Sequence, residues 1–130
     1  MSAPAPLAFS DPELIIALHA QSDEMLDQLD FGVIGMDSQG IVRRYNRFEQ
    51  EAAGLSPERV LGQPLFTVVA PCMNNFMVAQ RFDDAETEQQ GLDDTIPYVL
   101  TLRMRPAKVR LRLLYRPGMA QRFVLVDRRV

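Results

Sequence analysis

Apolar residues in the first 30 positions recur at helical spacing. Residues 10–13 read Ser-Asp-Pro-Glu, which combines an N-cap, a proline in the first helical turn and a capping-box glutamate, and apolar Leu14 and Leu18 follow. A smaller apolar stripe spans residues 25–29. We therefore predict short helices that form an N-terminal cap, preceded by a loose arm rich in proline and alanine at residues 1–9.

Beyond residue 30, short strand patterns are followed by short helical ones. Residues 31–36 are apolar and residues 41–45 alternate between apolar and polar, so the polar turn between them predicts a β-hairpin. Residues 46–53 predict a short helix that Gly54 ends, and a second short helix is predicted to begin at Ser56.

The second half of the chain is predicted to be mostly strand. An apolar run at residues 65–69 leads to an Ala-Pro-Cys sequence, after which residues 74–82 have helical spacing and the acidic residues 83–94 predict a solvated loop. Alternating patterns predict three further strands, at residues 98–104, 109–113 and 123–126.

This order of elements is typical of an α+β domain. We expect a five-stranded antiparallel sheet with short helices packed on one face and an N-terminal helical cap. A chain of 130 residues builds one domain, in which residues 1–30 form the arm and cap and residues 31–130 form the core.

The charge pattern excludes several classes of function. The net charge is −3, and Arg103, Arg105, Arg110 and Arg112 alternate along strands, which predicts a solvated sheet face rather than a nucleic-acid-binding patch. No apolar run reaches the roughly 20 residues of a membrane helix, so we expect a cytoplasmic protein without a membrane partner. The sequence has neither a phosphate-binding glycine loop nor a nucleophile elbow, and we predict no enzymatic activity and no metal site.

Cys72 is the chain's single cysteine, so it cannot form an internal disulfide. Taken alone, a thiol in an apolar stretch is most often a small buried hydrophobe. Upstream, Tyr45 and Glu49 stand four residues apart, a spacing that places two side chains on one helix face. Such a pair of donors could hold a buried anion, whereas the default role of each is a core tyrosine or a surface glutamate.

The chain from residue 31 to its end resembles the photoactive yellow protein family, which are blue-light receptors of PAS fold. The resemblance rests on the order of elements and on these residues: Phe31, Gly32, Tyr45, Asn46, Glu49, Gly54, Val69, Ala70, Pro71, Cys72, Met104, Pro106, Lys108, Val109, Arg129 and Val130.

The resemblance implies a chromophore site. In that family a cysteine carries p-coumaric acid (4-hydroxycinnamate) as a thioester, and a tyrosine and a protonated glutamic acid hold the phenolate end. Carried over by position, these residues are Cys72, Tyr45 and Glu49. The implied pocket walls are Ile34, Leu65, Phe66, Val69, Ala70, Leu100 and Met104.

The resemblance also implies a mechanism and differences in tuning. Light isomerises the chromophore, Glu49 gives its proton to the phenolate, and the uncompensated carboxylate loosens local structure, most easily the cap. The output then passes to an unidentified downstream signalling protein. The chain has Ala53 where the best-known members have a threonine, Leu55 where they have an arginine, and Leu100 where an aromatic residue is usual.

Two alternative functions remain open from the sequence. The chain could be a chromophore-free PAS module that binds a small ligand reversibly or mediates protein association, including a homodimer. A thiol redox sensor based on Cys72 is the third hypothesis.

Overall fold

The structure is a computed structural model that describes residues 6–101 and 106–129. Its helices are α1 (Leu14–Ala20), α2 (Asp23–Leu26), α3 (Arg47–Ala53), α4 (Pro57–Val60) and α5 (Ala79–Glu88). Its strands are β1 (Gly32–Met36), β2 (Val42–Tyr45), β3 (Leu92–Leu100), β4 (Ala107–Tyr115) and β5 (Arg122–Asp127). In this part of the chain, no helix is long and apolar enough to cross a membrane.

The strands form one antiparallel sheet in the order β2-β1-β5-β4-β3. The hairpin of β1 and β2 is confirmed, with an irregularity between Gly35 and Met36. Strand β5 lies between β1 and β4, so the last strand of the chain occupies the centre of the sheet. Its position brings residues near the C-terminus beside the first strand.

The two faces of the sheet carry separate apolar cores. On one face, Ile34 of β1 and Val124 of β5 pack with Leu65 and Phe82 from the central helical segment. On the other face, Leu18 of α1 and other residues of the N-terminal cap pack on the sheet. The predicted α+β architecture is therefore confirmed, and the cap covers the face opposite to helices α3 to α5.

Arg112 is buried by this cap, so the prediction that it lies on a solvated face was wrong. Its side chain is 8% exposed, and its guanidinium pairs with Asp93 and donates to the carbonyl oxygens of Phe9 and Asp11 at 2.8 Å each. Arg110 remains exposed and lies over the Phe9 ring. Arg103 and Arg105 lie outside the described residues.

Helix α1 begins later than the capping pattern predicted. Residue Glu13 precedes it with a left-handed φ of 55° and makes no side-chain cap, and its carboxylate pairs with Arg116 instead. Asp11 accepts a hydrogen bond from the Ala8 N–H, which forms a turn ahead of the helix. The residues expected to cap α1 therefore take part in an ion pair and in this turn instead.

The loop predicted at residues 83–94 was also wrong. Helix α5 includes the first half of the acidic stretch, residues 83–88, and buries Phe82 and Ala85 on one face, and strand β3 begins at Leu92. Because only these two side chains of the helix are buried, its apolar face is too narrow to stand out among the acidic residues.

Helix α3 has the predicted boundaries, and Asn46 explains why it begins where it does. The Asn46 side chain is buried, and its oxygen accepts hydrogen bonds from the N–H groups of Val33 and Glu49 at 2.9 and 3.2 Å. Its amide nitrogen donates to the carbonyl oxygens of Leu26 and Phe31 at 2.9 and 3.0 Å. One side chain therefore joins α3, β1 and the cap.

We expect the Asn46→Ala variant to lose about 2–4 kcal/mol of unfolding free energy, because a helix cap is lost and buried polar groups lose their partners. Urea unfolding followed by circular dichroism measures this loss. The matched control is Ser22→Ala, which removes the exposed cap of α2 and should cost about 1 kcal/mol or less. Equal losses in the two variants would contradict the role of Asn46.

Candidate functional site

Cys72 lies in a turn between the helical segments and not at a helix N-terminus. One turn of π-helix (Leu65–Val69) leads into a short 3₁₀ turn (Pro71–Met73) that contains the cysteine. Helix α5 begins only at Ala79, later than the helical spacing from residue 74 predicted. The side chain is half-buried and packs against the core.

Hydrogen bonds from the sheet side fix the main chain of Cys72. Its carbonyl oxygen accepts from the Tyr98 hydroxyl at 2.5 Å and from the Asn75 amide at 3.1 Å. The same Asn75 amide also donates to the Tyr98 oxygen at 2.6 Å. These hydrogen bonds hold the backbone of Cys72 through its carbonyl oxygen and do not involve its side chain.

Cys72 lines a cavity of about 710 Å³, together with residues that include Leu55, Arg59, Val60, Val69 and Thr101. This volume lies within the range of roughly 300–1,000 Å³ that is common for small-molecule sites. Most of the lining residues are apolar, and Arg59 and Thr101 are the polar residues among those named. A small molecule with an apolar body and a polar group fits this chemistry.

Tyr45 lies at the end of β2, beside this cavity but not in its lining. Its hydroxyl donates to the carbonyl oxygen of Leu55 at 3.0 Å, and the carbonyl oxygen of Glu49 lies at 3.5 Å. Burial raises the pKa of the Tyr45 hydroxyl, and the nearby Glu49 charge raises it further. Tyr45 is therefore a neutral residue whose hydroxyl donates a hydrogen bond to the main chain of Leu55, which lines the cavity.

Glu49 is 1% exposed, and its carboxylate binds a residue that the sequence reasoning did not consider. Its two oxygens accept hydrogen bonds from the two terminal nitrogens of Arg128 at 2.6 and 2.9 Å. Burial raises the pKa of the Glu49 carboxyl, whereas the hydrogen bonds and charge of Arg128 act to lower it. Among the residues that the structure describes, neither Tyr45 nor Glu49 lines the Cys72 cavity.

Gly32 provides the space for this carboxylate. A Cβ atom at Gly32 would overlap with Glu49 Oε1, so the close approach of α3 to β1 needs a glycine here. Gly32 pairs with Val126 of β5, which places the carboxylate near the end of β5 where Arg128 follows.

The predicted pocket walls within the described residues lie on the same sheet face as Cys72. Ile34, Leu65, Ala70 and Leu100 are buried in the core there. Tyr45, Phe66 and Val69 pack against that core, and Val69 also lines the cavity. Met104 lies outside the described residues. The structure therefore brings these residues to one region, although most of them form the core behind the cavity.

Sequence reasoning missed Arg59, Tyr98, Thr101 and Arg128. An arginine on a short surface helix and a threonine at a strand end carry no local signal of a cavity. Arg128 did carry a weak signal, because it continues the alternation of the buried Val124 and Val126 on β5. Recognising its partner also required the pairing of β1 with β5.

The sequence of this chain is similar to those of known PAS-fold proteins. The PAS fold family matches residues 20–118. Photoactive yellow protein of Halochromatium salexigens is 32% identical over 105 residues, which cover 81% of this chain and 83% of that protein. Photoactive yellow protein of Rhodothalassium salexigens is 30% identical over 107 residues, with 82% and 85% covered.

The fold of this chain is also similar to those of solved PAS-domain structures. The photoactive yellow protein domain of the sensor histidine kinase Ppr from Rhodospirillum centenum superimposes with a TM-score of 0.78 at 32% identity, covering 85% of this chain and 96% of that domain. The PAS domain of the Cronobacter turicensis quorum-sensing receptor RpfR, in complex with BDSF, superimposes with a TM-score of 0.61, covering 79% of this chain and 97% of that chain. At 15% sequence identity, this likeness shows the fold alone.

We expect the Gly32→Ala variant to lose about 1–3 kcal/mol of unfolding free energy, because the Cβ atom displaces the Glu49 carboxylate. Gly91→Ala is the matched control, since its Cβ would meet the Tyr115 carbonyl oxygen at an ordinary 3.7 Å. The double variant with both Gly32→Ala and Glu49→Ala should lose less unfolding free energy than the sum of the losses in the two single variants. Urea unfolding measures all four variants, and strictly additive losses would contradict the steric argument.

Proposed function

Because this chain belongs to the photoactive yellow protein family of PAS domains, we propose that it is a blue-light receptor carrying a p-coumaric acid type chromophore as a thioester on Cys72. The observation that carries the proposal is the Cys72 side chain at the wall of a cavity of about 710 Å³. The Tyr45 hydroxyl is hydrogen-bonded to Leu55 of the cavity lining, and Tyr45 and Glu49 stand at the positions that the family resemblance assigns to the phenolate donors.

Attachment requires only an activated acid and the thiol. The Cys72 sulfur forms a bond to the acyl carbon of the activated p-coumarate, the bond from that carbon to the leaving group breaks, and the thiol proton goes to solvent. The apolar walls of the cavity would receive the aromatic body of the acid. Arg59 and Thr101 are available to its polar atoms.

Tyr45 and Glu49 would hold the other end of the chromophore. A phenolate removed from water needs strong hydrogen-bond donors. To serve it, the Tyr45 hydroxyl must exchange the Leu55 carbonyl for the phenolate oxygen, and Glu49 must be neutral. A phenolate beside Glu49 favours that neutral form, because like charges raise a carboxyl pKa.

A bound chromophore would supply light-driven isomerisation, and Glu49 would hold the proton that its phenolate oxygen accepts, becoming a carboxylate. Hydrogen bonds of Asn46 would link this event to the cap. The Glu49 N–H donates to Asn46, whose amide donates in turn to the Leu26 and Phe31 carbonyl oxygens. Displacement of the first turn of α3 would therefore weaken the attachment of the cap.

A downstream signalling protein would read this change. One solved relative is a domain of a sensor histidine kinase, which supports output through a protein partner rather than through catalysis by this domain. We propose no nucleic-acid or membrane partner. The cytoplasmic location and a homodimer stay predictions.

A chromophore-free PAS sensor that binds a small ligand reversibly is the second candidate function. The observation that favours it is the engagement of both proposed donors elsewhere. The Tyr45 hydroxyl donates to Leu55 and the Glu49 carboxylate binds Arg128. A ligand confined to the Cys72 cavity would need neither of them.

Reconstitution separates the two functions. We expect purified protein treated with an activated p-coumaric ester to gain the mass of one thioester and a yellow absorption band that bleaches in blue light and recovers. Intact mass and visible absorption measure both. Cys72→Ser should gain neither, and a wild-type protein that forms no adduct would leave the reversible ligand sensor as the better description.

The Glu49→Gln variant tests the proton donor. Its amide still donates a hydrogen bond but has no proton to transfer, so the adduct should stay yellow while its bleached band forms roughly 100-fold more slowly. Flash absorption measures the rate. Glu51→Gln is the matched control, because Glu51 is exposed on the same helix. Equal rates in wild type and Glu49→Gln would remove Glu49 as the donor.

A further inference from the structure

The ion pair between Glu49 and Arg128 is built by the fold rather than by local sequence. Arg128 lies 79 positions after Glu49 and directly follows β5. The pairing of Gly32 with Val126 brings the two side chains together, and the absent side chain at Gly32 gives the carboxylate its place. Both carboxylate oxygens accept from the guanidinium, which is the geometry of an ionised pair.

We propose that Arg128 is a positioning residue that controls the ionisation of Glu49 and stabilises its carboxylate after proton transfer to the chromophore. The second part rests on the proposed function. In that step the O–H bond of the Glu49 carboxyl breaks, its electron pair stays on the carboxylate, and the proton forms the O–H bond of the chromophore phenol. The carboxylate then has the guanidinium of Arg128 as its partner.

The burial of the two residues explains why this partner matters. An unpaired carboxylate at 1% exposure would cost several kcal/mol, comparable with the total stability of a domain. The Arg128 side chain is 20% exposed, so the cation keeps contact with water while it neutralises the buried acid. Proton transfer therefore produces a compensated charge, and the bleached state should be longer-lived than with an unpaired carboxylate.

Among the described residues near Glu49, Arg128 is the cation that binds its carboxylate. Of the residues that the structure describes, Tyr45 also interacts electrostatically with Glu49, and its hydroxyl stays neutral because burial raises its pKa. Arg129, the next residue, turns to Asp127 and Asp30 at 3.1 Å each. The chain thus offers a matched control, since Arg129→Gln removes an equal charge one position away without touching the Glu49 carboxylate.

The first arm of the test uses the chromophore-free protein. Titration of the Glu49 side chain by carbon NMR, assigned with Glu49→Gln, gives its midpoint in each variant. Arg128→Gln should raise the midpoint by one pH unit or more, Arg128→Lys should raise it less, and Arg129→Gln should leave it unchanged. An unchanged midpoint in Arg128→Gln, or an equal rise in Arg129→Gln, would overturn the proposal.

Stability provides a second readout if Arg128→Gln folds poorly at neutral pH. A carboxyl whose pKa is raised by folding stabilises the fold in its protonated form, so stability falls as pH rises from the usual glutamate value of 4.5 through the folded-state pKa. This fall should be larger in Arg128→Gln than in wild type, and absent from Glu49→Gln in this range. Equal falls in wild type and Arg128→Gln would count against the proposal.

The second arm uses the reconstituted protein. Loss of Arg128 destabilises the Glu49 carboxylate, so Arg128→Gln should recover its yellow band about tenfold faster per pH unit of midpoint shift. An unchanged recovery with a shifted midpoint would reject the role in the bleached state alone. If no adduct forms in wild type, the proposed function fails, while the titration still decides whether Arg128 controls Glu49.

Discussion

The amide of Asn46 joins three parts of the protein at a buried point, and the candidate site depends on it. Its oxygen caps α3 and binds β1, and its nitrogen holds two carbonyl oxygens at the end of the cap. Tyr45 precedes this residue and Glu49 lies one helical turn beyond it. The four hydrogen bonds therefore fix both side chains relative to the sheet, because a buried amide cannot exchange its partners for water.

Arginines from the sheet attach the cap in a comparable way before and after helix α1. Arg112 donates to the carbonyl oxygens of Phe9 and Asp11, and Arg44 donates to those of Leu18 and Gln21 at 2.9 and 2.6 Å. These bonds add directional contacts to the apolar packing between cap and sheet. Release of the cap, as the proposed function requires, must break these bonds or change the register of the sheet beneath them.

Local patterns predicted those elements whose boundaries depend on local chemistry. The hairpin of β1 and β2, helix α3 and the antiparallel sheet were predicted because alternation, an N-cap and a C-terminal glycine act within a few residues. Helix α5 and the start of α1 were not, because two buried side chains and the contacts of Arg112 and Arg116 determined them. Cys72 lines a cavity together with Val69, which was a predicted wall, whereas the lining residues of α4 and Thr101 at a strand end were not predicted.

The amino-acid sequence by itself determined the fold class, the family and the residues with suitable chemistry, namely one thiol, one tyrosine and one glutamate. Only the tertiary structure decided what those groups bind. The Tyr45 hydroxyl faces a main-chain carbonyl, and the Glu49 carboxylate faces Arg128 from the far end of the chain. The physical reason is that a buried charge takes the partner that strand register brings within hydrogen-bond distance, and register depends on the packing of the whole sheet.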